Sequence, residues 1–436
     1  MKISLFKGIL IGAFILGALI GLFVFATYTS KNSGGANAIG TVVIWGALPS
    51  AEMEATLVAA TGIDPSLKSV SYVQKDPATL PADLASAIAI GAAPDLILAS
   101  QEELQPLTKF ISPISSATLS QSTFANAFIG GAEIFTMPGG TGYWGIPFLV
   151  DPLVLFSNRA ILESTGIARP PASWEALTGL VPNTAILTPS RQIMRGLIAL
   201  GTYTNVHDAR GILSTLFLQQ GVPVSGYSAS GNLSANLGLS TSVGRAPGPA
   251  VLGFYTQFAD PSKVSYTWNA SLPDSQQSFL SGDLALYLGY VSEARYLRAA
   301  NPNLDFSVSV VPQPSTSQLK STYGLIYAFM APRGARNPAG AYQTAVLLTN
   351  SAEQIVAAAS TGLAPATLTL LSSIPSDPIA TVAYAEALYT HGWLSPAPLN
   401  TDSVFSGMIG SVISGRLNLQ SALVSAEQSL TAFLQQ

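Results

Sequence analysis

The chain of 436 residues contains no cysteine and only two histidines, His207 and His391. Without cysteine there is no disulfide, no thiol nucleophile, no cysteine-ligated zinc and no acylated cysteine of a lipoprotein. The two histidines are far apart in the sequence, which excludes an H-E-x-x-H motif and a histidine-rich metal site. The sequence also lacks a G-x-S-x-G nucleophile elbow and a G-x-x-x-x-G-K-[ST] phosphate loop. We therefore expect no metal and no cofactor.

Charged residues are also scarce. They make up 10% of the chain, and the formal net charge at pH 7 is −4. Nucleic-acid binding requires a basic surface, so this charge balance excludes that class of partner. Hydrophobic residues make up 48% of the chain, which is enough for a large core, and the length predicts more than one domain.

One segment near the N terminus has no charge at all. Residues 8–26 are almost wholly apolar and follow Lys2 and Lys7. About 20 apolar residues span the hydrocarbon core of a bilayer, and the positive flank is expected to stay inside. The sequence therefore predicts a single N-terminal span at the cell membrane, with the body of the chain outside the cytoplasm, extracellular or periplasmic.

Two interpretations of this segment are open. The first is an uncleaved membrane anchor over residues 1–27, and the second is a signal peptide cleaved after Ala38. Apolar regions of signal peptides usually run about 7–15 residues, so the greater length here favours the anchor. Residues 28–40 are rich in glycine, serine and asparagine and are expected to form a flexible linker.

The body of the chain alternates strand-like and helix-like segments, which indicates an α/β fold. Residues 41–45 and 96–99 are predicted strands, and helices are predicted over 51–60 and 102–109. We expect residues 174–220 to be mainly helical.

The most informative stretch is residues 279–290, Phe-Leu-Ser-Gly-Asp-Leu-Ala-Leu-Tyr-Leu-Gly-Tyr. A helix end and a break at Gly282 lead into a short apolar run, residues 284–288, which is typical of a buried strand. Gly289 ends the run, and Tyr290 follows at the carboxyl end of the strand. In open α/β sheets ligands bind at that end.

This stretch resembles the F-x-x-G-x-x-A-x-x-x-x-G segment of extracellular solute-binding protein family 1, the maltose-binding-protein-like carbohydrate receptors of ABC importers. Other blocks of the chain resemble segments of the same family, in the same order. They are Pro94-Asp95-Leu96-Ile97, residues 143–148 (Tyr-Trp-Gly-Ile-Pro-Phe), residues 153–158, residues 170–177 (Pro-Pro-Ala-Ser-Trp-Glu-Ala-Leu), and the tail from Trp393 through residues 404–422. The resemblance covers nearly everything from about Thr41 onward.

The resemblance implies a two-lobed, periplasmic-binding-protein-like α/β fold with a ligand cleft between the lobes. Residues 41–150 with 325–370 are then the first lobe, and residues 151–324 with 371–436 are the second. It also implies a monomeric, non-enzymatic receptor that captures a small sugar-like ligand by closing the two lobes. The receptor would deliver that ligand to the permease subunits of an ABC transporter.

The resemblance and the positions of aromatic and polar residues near strand ends select eight candidate ligand-binding residues. Aromatic faces suit the C–H face of a sugar ring, and carboxylates and amides suit its hydroxyl groups. The alternative for each aromatic residue is a role in the core. The eight residues are Trp45, Gln101, Glu102, Phe148, Asp151, Trp268, Tyr290 and Trp393. Ala99 departs from the family, because some sugar binders have an aromatic residue there, which argues against maltodextrin itself.

Two other functions remain open from the sequence. A surface glycoside-active enzyme would use a pair of cleft carboxylates, for which Asp151 and Glu102 are the candidates. A sensor or adhesion receptor without a transport role could be built on the same fold.

Overall fold

The structure of the protein is a computed structural model, and it describes residues 39–228, 231–238, 246–317 and 319–436. Among these residues no helix is long and apolar enough to cross a membrane. The predicted anchor over residues 1–27 lies outside the described residues, as does most of the predicted linker.

Sixteen strands form in the described part of the chain. They are β1 Val42–Gly46, β2 Val70–Gln74, β3 Leu96–Ala99, β4 Ile111–Ser112, β5 Ile114–Ser115, β6 Gly142–Tyr143, β7 Ile146–Asn158, β8 Ile186–Leu187, β9 Ile193–Ile198, β10 Ser225–Tyr227, β11 Leu233–Ala235, β12 Leu284–Tyr290, β13 Phe306–Ser309, β14 Thr322–Pro332, β15 Ala364–Pro365 and β16 Thr390–His391.

The α-helices of the same part of the chain lie between these strands and form the tail. They are α1 Ser50–Ile63, α2 Leu80–Ala89, α3 Gln101–Leu107, α4 Gln121–Ala127, α5 Arg159–Ser164, α6 Trp174–Thr184, α7 Ala209–Gln219, α8 Gly248–Thr256, α9 Ser275–Ser281, α10 Glu293–Ala300, α11 Pro338–Leu348, α12 Ser351–Thr361, α13 Leu368–Leu371, α14 Pro378–Ala387, α15 Pro398–Ile413 and α16 Leu419–Leu434.

One mixed sheet runs through the molecule in the order β2-β1-β3-β14-β7-β12-β9-β8. At one end, β1 pairs in parallel with β2 and β3, and α1 and α12 pack together beside these strands; we call this end half A. At the other end, β12 pairs in parallel with β9, and α7, α8, α15 and α16 pack on that side; we call this end half B. The long strands β7 and β14 pair antiparallel in the middle and join the two halves.

Strand β7 owes its central place to its sequence. All 13 of its residues are buried, and apart from Asp151, Ser157 and Asn158 they are apolar or proline. Such a run suits a strand that is covered on both faces. Its first part pairs with β14 and β15, and its last part pairs with β12 and β13.

Most predicted elements form, and one prediction was wrong in part. Residues 174–220 contain helices α6 and α7, but β8 and β9 lie between them. Strand β9 forms because it pairs in parallel with β12, with Gly196 opposite Leu284 and Ile198 opposite Leu286. That partner lies far along the chain, so local spacing could not reveal it.

Candidate functional site

The candidate site surrounds the point where β7 and β14 pass from half A to half B. Asp151 of β7 lies opposite Leu325 of β14, and Pro152 lies opposite Gly324. A side chain at position 324 would not fit, because an added Cβ would lie 2.8 Å from the carbonyl oxygen of Asp151. Glycine therefore permits the two strands to approach closely at the crossing.

Gln101, in half A, forms hydrogen bonds to strand β14 at the crossing. It begins α3 directly after β3 and is completely buried. Its Nε2 donates to the carbonyl oxygen of Gly324 at 2.9 Å, and its Oε1 accepts from the backbone N–H of Ile326 at 2.7 Å. The side chain therefore fixes the start of α3 to β14.

Glu102 also points from the start of α3 toward half B, and it is 3% exposed. The guanidinium of Arg210, near the start of α7, donates from Nε to Oε1 at 3.0 Å and from Nη2 to Oε2 at 2.7 Å. The hydroxyl of Tyr323 donates to the same carboxylate. Planar two-point pairing of this kind is the strongest geometry for an arginine and a carboxylate. We call this pair the Arg210 bridge.

The other side of Arg210 is held within half B. Its Nη1 donates to Asp402 Oδ2 at 2.9 Å and to the carbonyl oxygen of Pro398 at 3.2 Å. Asp402, on α15, also accepts from the hydroxyl of Tyr203 at 2.5 Å. Burial works against the charge of Arg210, but Glu102 and the neighbouring groups raise its pKa well above the ordinary value. The guanidinium thus remains charged.

Asp151 is nearly as buried as Glu102, at 4% exposure, but it forms no ion pair with any of the described residues. Its Oδ1 accepts a hydrogen bond from the backbone N–H of Ser292 at 3.1 Å. Burial raises the pKa of Asp151 to about 7, the Ser292 hydrogen bond partly offsets this rise, and the carboxylates of Glu293 and Glu52 add to it. Near neutral pH the protonated and the ionised forms of this carboxyl are therefore similar in free energy.

Tyr290 ends β12 beside the crossing, where it lies opposite Leu153 of β7. Its backbone N–H donates to Glu293 Oε1 at 2.7 Å. Its ring lies over the first turn of α7, since a Cβ added to Gly211 would be 2.8 Å from the hydroxyl oxygen. Gln101, Glu102, Asp151 and Tyr290 are thus brought to one region between the halves.

Trp45 is the next-to-last residue of β1, in half A. It is half-buried, and Lys75 Nζ lies 4.0 Å from the centre of its ring. Lys75 also pairs with Asp83 at 3.2 Å. One face of the Trp45 ring is therefore covered by a cation of its own half.

The other three predicted aromatic residues are in the core. Phe148 is fully buried against Phe329, with 4.7 Å between ring centres. Trp268 and Trp393 are 1% and 2% exposed. Trp393 Nε1 donates to Ser214 Oγ at 2.9 Å, whereas Trp268 Nε1 has no hydrogen-bond partner among the described residues. A ligand-stacking role for these three residues stays a prediction.

Reasoning from the sequence missed Arg210, although it left a signal. Arg210 is the one charged residue in α7, and nearly all the rest of that helix is buried. A lone charge in a buried helix requires a partner of opposite charge. The signal does not say that the partner is Glu102, which lies 108 positions away in the sequence.

One group near the site has the composition of a cation site. Ligand atoms of His207, Asp208 and Glu293 lie within 4.8 Å of one another. Glu293 is already occupied, however, because it accepts from Gln276 Nε2 at 2.6 Å, from the backbone of Tyr290 and from the hydroxyl of Tyr287. The group is therefore better described as a hydrogen-bonded acidic cluster than as an open coordination site.

Two concave regions lie away from the crossing, on half B. One, of about 270 Å³, is lined by Tyr203, Asn269 and residues of α15. The other, of about 480 Å³, is lined by Trp174, Phe254 and neighbouring residues of α6, α7 and α8. None of the eight predicted site residues lines either of them.

Residues 56–382 match the sequence model of the bacterial extracellular solute-binding protein family. The chain belongs to that family. The predicted family relationship is confirmed, and the family consists of binding proteins, which supports the prediction of a non-enzymatic protein. A body outside the cytoplasm agrees with this membership. No curated protein sequence matches the chain.

Solved structures share the fold at low sequence identity. A cyclo/maltodextrin-binding protein in complex with maltotetraose is 16% identical, with a TM-score of 0.70 over 93% of this chain and 99% of that chain. The cyclic α-maltosyl-1,6-maltose-binding protein of Arthrobacter globiformis is 15% identical, with a TM-score of 0.72 over 91% and 99%. An ABC transporter solute-binding protein of Thermotoga lettingae, bound to α-D-tagatose, is 18% identical, with a TM-score of 0.65 over 91% and 100%. The predicted two-lobed α/β fold is thereby confirmed.

Proposed function

We propose that the protein is the extracytoplasmic receptor of an ABC importer, which captures a carbohydrate between its lobes and delivers it to the permease. One observation carries this proposal. Polar side chains of both halves converge at the β7–β14 crossing, which joins the halves, and they include the predicted residues Glu102, Asp151 and Tyr290. A hinge needs such a crossing, and a sugar needs such donors and acceptors.

The individual groups suit hydroxyl-rich ligands. Among the described residues Ser292 is the one hydrogen-bond donor to Asp151, so the carboxyl has lone pairs left for ligand hydroxyls. The hydroxyl of Tyr290 has no hydrogen-bond partner among the described residues, and its partly buried ring is proposed to stack on the ligand. Relatives of the same fold bound to maltotetraose and to tagatose support a carbohydrate as the ligand class. The lobes are proposed to meet near residues 150 and 325.

Binding is tested by thermal unfolding of the full-length chain, in a detergent without a sugar headgroup, against saccharides, polyols and amino acids. A ligand at a hundredfold excess over its Kd stabilises the folded state by about 2.7 kcal/mol. Stabilisation by saccharides alone supports the proposal. Stabilisation by amino acids and not by saccharides would overturn the ligand class.

The position of the site is tested with Tyr290→Ala. Losing a stacked aromatic ring should weaken saccharide binding by roughly 1–3 kcal/mol, measured by titration calorimetry. Tyr296→Ala is the matched control, because Tyr296 is 54% exposed on the following helix, α10. If both variants bind the saccharide as tightly as the wild type does, the ligand does not stack on Tyr290.

A further inference from the structure

A second arginine of half B also reaches half A. Arg295, on α10, donates from Nη2 to the carbonyl oxygen of Ala359 at 2.7 Å and from Nη1 to that of Ser360. Both carbonyls belong to the last turn of α12, where the helix dipole favours a cation. Arg295 also lies 3.7 Å from Glu52 of α1. We call these contacts the Arg295 bridge.

The Arg210 bridge differs from the Arg295 bridge in burial. The side chains of Arg210 and Glu102 are 19% and 4% exposed, whereas those of Arg295 and Glu52 are 47% and 28% exposed. A third contact, from Gln105 Nε2 to the carbonyl oxygen of Leu434, is longer, at 3.4 Å. Of these contacts between the halves, the Arg210 bridge has the best hydrogen-bond geometry and is the least exposed to solvent.

Glu102 is the predicted ligand-binding carboxylate of half A, and both of its oxygens are bound by Arg210 of half B. Arg210 in turn is held within half B by hydrogen bonds to Asp402 and to the carbonyl oxygen of Pro398. An arginine with partners in its own half therefore pairs with a buried carboxylate of the other half.

We propose that Arg210 is the residue that sets the closing equilibrium of the two lobes, by pairing with Glu102 across the cleft. The bridge is made when the lobes meet and is broken when they part. The chain then has a tendency to close without ligand, and ligand contacts stabilise the closed state further. The proposal rests on the two-lobe receptor function given above.

The absence of cysteine permits a direct distance measurement. Ile90→Cys in half A and Val264→Cys in half B replace residues that are 80% and 77% exposed. Spin labels at these two positions, in the full-length chain, report the distance between the halves by double electron–electron resonance. The wild-type background without added ligand should show mainly the short distance.

Glu102→Gln removes the charge at nearly constant shape and should lower the ratio of closed to open molecules by roughly tenfold or more. Arg210→Lys, which keeps the charge but not the two-point geometry, should lower it less. Arg159→Gln is the control, because Arg159 pairs with Asp305 within half B, at 3.5 Å. It should leave the distances unchanged.

Two results would overturn the proposal. One is a wild-type chain that is mainly open without ligand. The other is wild-type distances in both the Glu102→Gln and the Arg210→Lys variants, whatever their melting temperatures. The proposed receptor function fails separately, when no saccharide stabilises the chain although these variants open it. If the wild type binds saccharides while Glu102→Gln and Arg210→Lys both stay closed, only the proposed role of Arg210 is refuted.

Discussion

The Arg210 and Arg295 bridges join the same two halves with the same type of side chain, yet their surroundings differ. Arg210 meets a carboxylate inside the molecule, and Arg295 meets helix carbonyls and a carboxylate at the rim. Water and salt weaken the second bridge and largely spare the first. The comparison teaches that burial and preorganised partners decide how strongly a cross-lobe contact acts.

The largest expected effect comes from breaking the buried bridge with Arg210→Met. This change leaves Glu102 and Asp402 without their cation, and an unpaired buried charge costs about 3–5 kcal/mol. We expect the free energy of unfolding, measured by chemical denaturation, to fall by that amount. Arg159→Met, at an exposed pair, should cost less than about 1 kcal/mol. Equal losses for the two variants would show that the Arg210 bridge contributes no more than a surface pair.

An intermediate effect is expected at Asp151, a buried carboxyl near the same crossing that pairs with none of the described arginines. Its pKa in the folded state is about 7, above the ordinary value of 3.8. The folded state therefore keeps a proton that the unfolded chain has released, and stability falls as pH rises from about 4 to about 7. Asp151→Asn should remove this loss and stabilise the protein above pH 7 by on the order of 2 kcal/mol.

The measurement is chemical denaturation of wild type and Asp151→Asn at pH 4 and pH 8. A parallel case is Glu386, where burial raises the pKa to about 8 and Oε1 accepts from the N–H of Val311 at 2.6 Å. Glu386→Gln should also stabilise the protein at high pH. The pH range over which the wild type loses stability through Glu386 should end about one pH unit higher than for Asp151. An Asp151→Asn variant that loses as much stability between pH 4 and pH 8 as the wild type contradicts the assignment.

The smallest effect is expected at the rim, for Arg295→Gln. Loss of a half-exposed bridge should lower the free energy of unfolding by less than about 1 kcal/mol. The difference from wild type should shrink further between 0.05 and 0.5 M salt, measured by denaturation at both concentrations. A loss above about 2 kcal/mol that is independent of salt would abolish the contrast between the two bridges.

Local signals in the sequence were sufficient for many elements. Strand β3 has the predicted bounds, because the breaks at Gly91 and Pro94 separate a helix from a short apolar run. Strand β12 also forms as expected, after Gly282 ends α9 in the left-handed conformation. In both cases the information lies within a few residues of the element.

What the sequence could not supply depends on distant pairing. Strand β9 depends on its pairing with β12, and Glu102 is paired with Arg210, so neither the strand nor the ion pair could be recognised from the neighbouring sequence. The position of an aromatic residue near a strand end does not show whether its side chain faces the core or the cleft. Trp393 therefore turned out to be buried against Ser214 and Phe405. Only packing between elements decides such orientations.

The place of β14 in the sheet has a consequence for the order in which the chain folds during synthesis. Strand β3 pairs with β14 on one edge, with Ala99 opposite Ala328 and Ile97 opposite Met330. A ribosome delivers the chain from its N terminus, so that edge of β3 stays without its partner until residue 330 has emerged. Half A is thus completed late, and its exposed strand edge is open to wrong pairing in the meantime. Chaperone dependence during synthesis is the expected result.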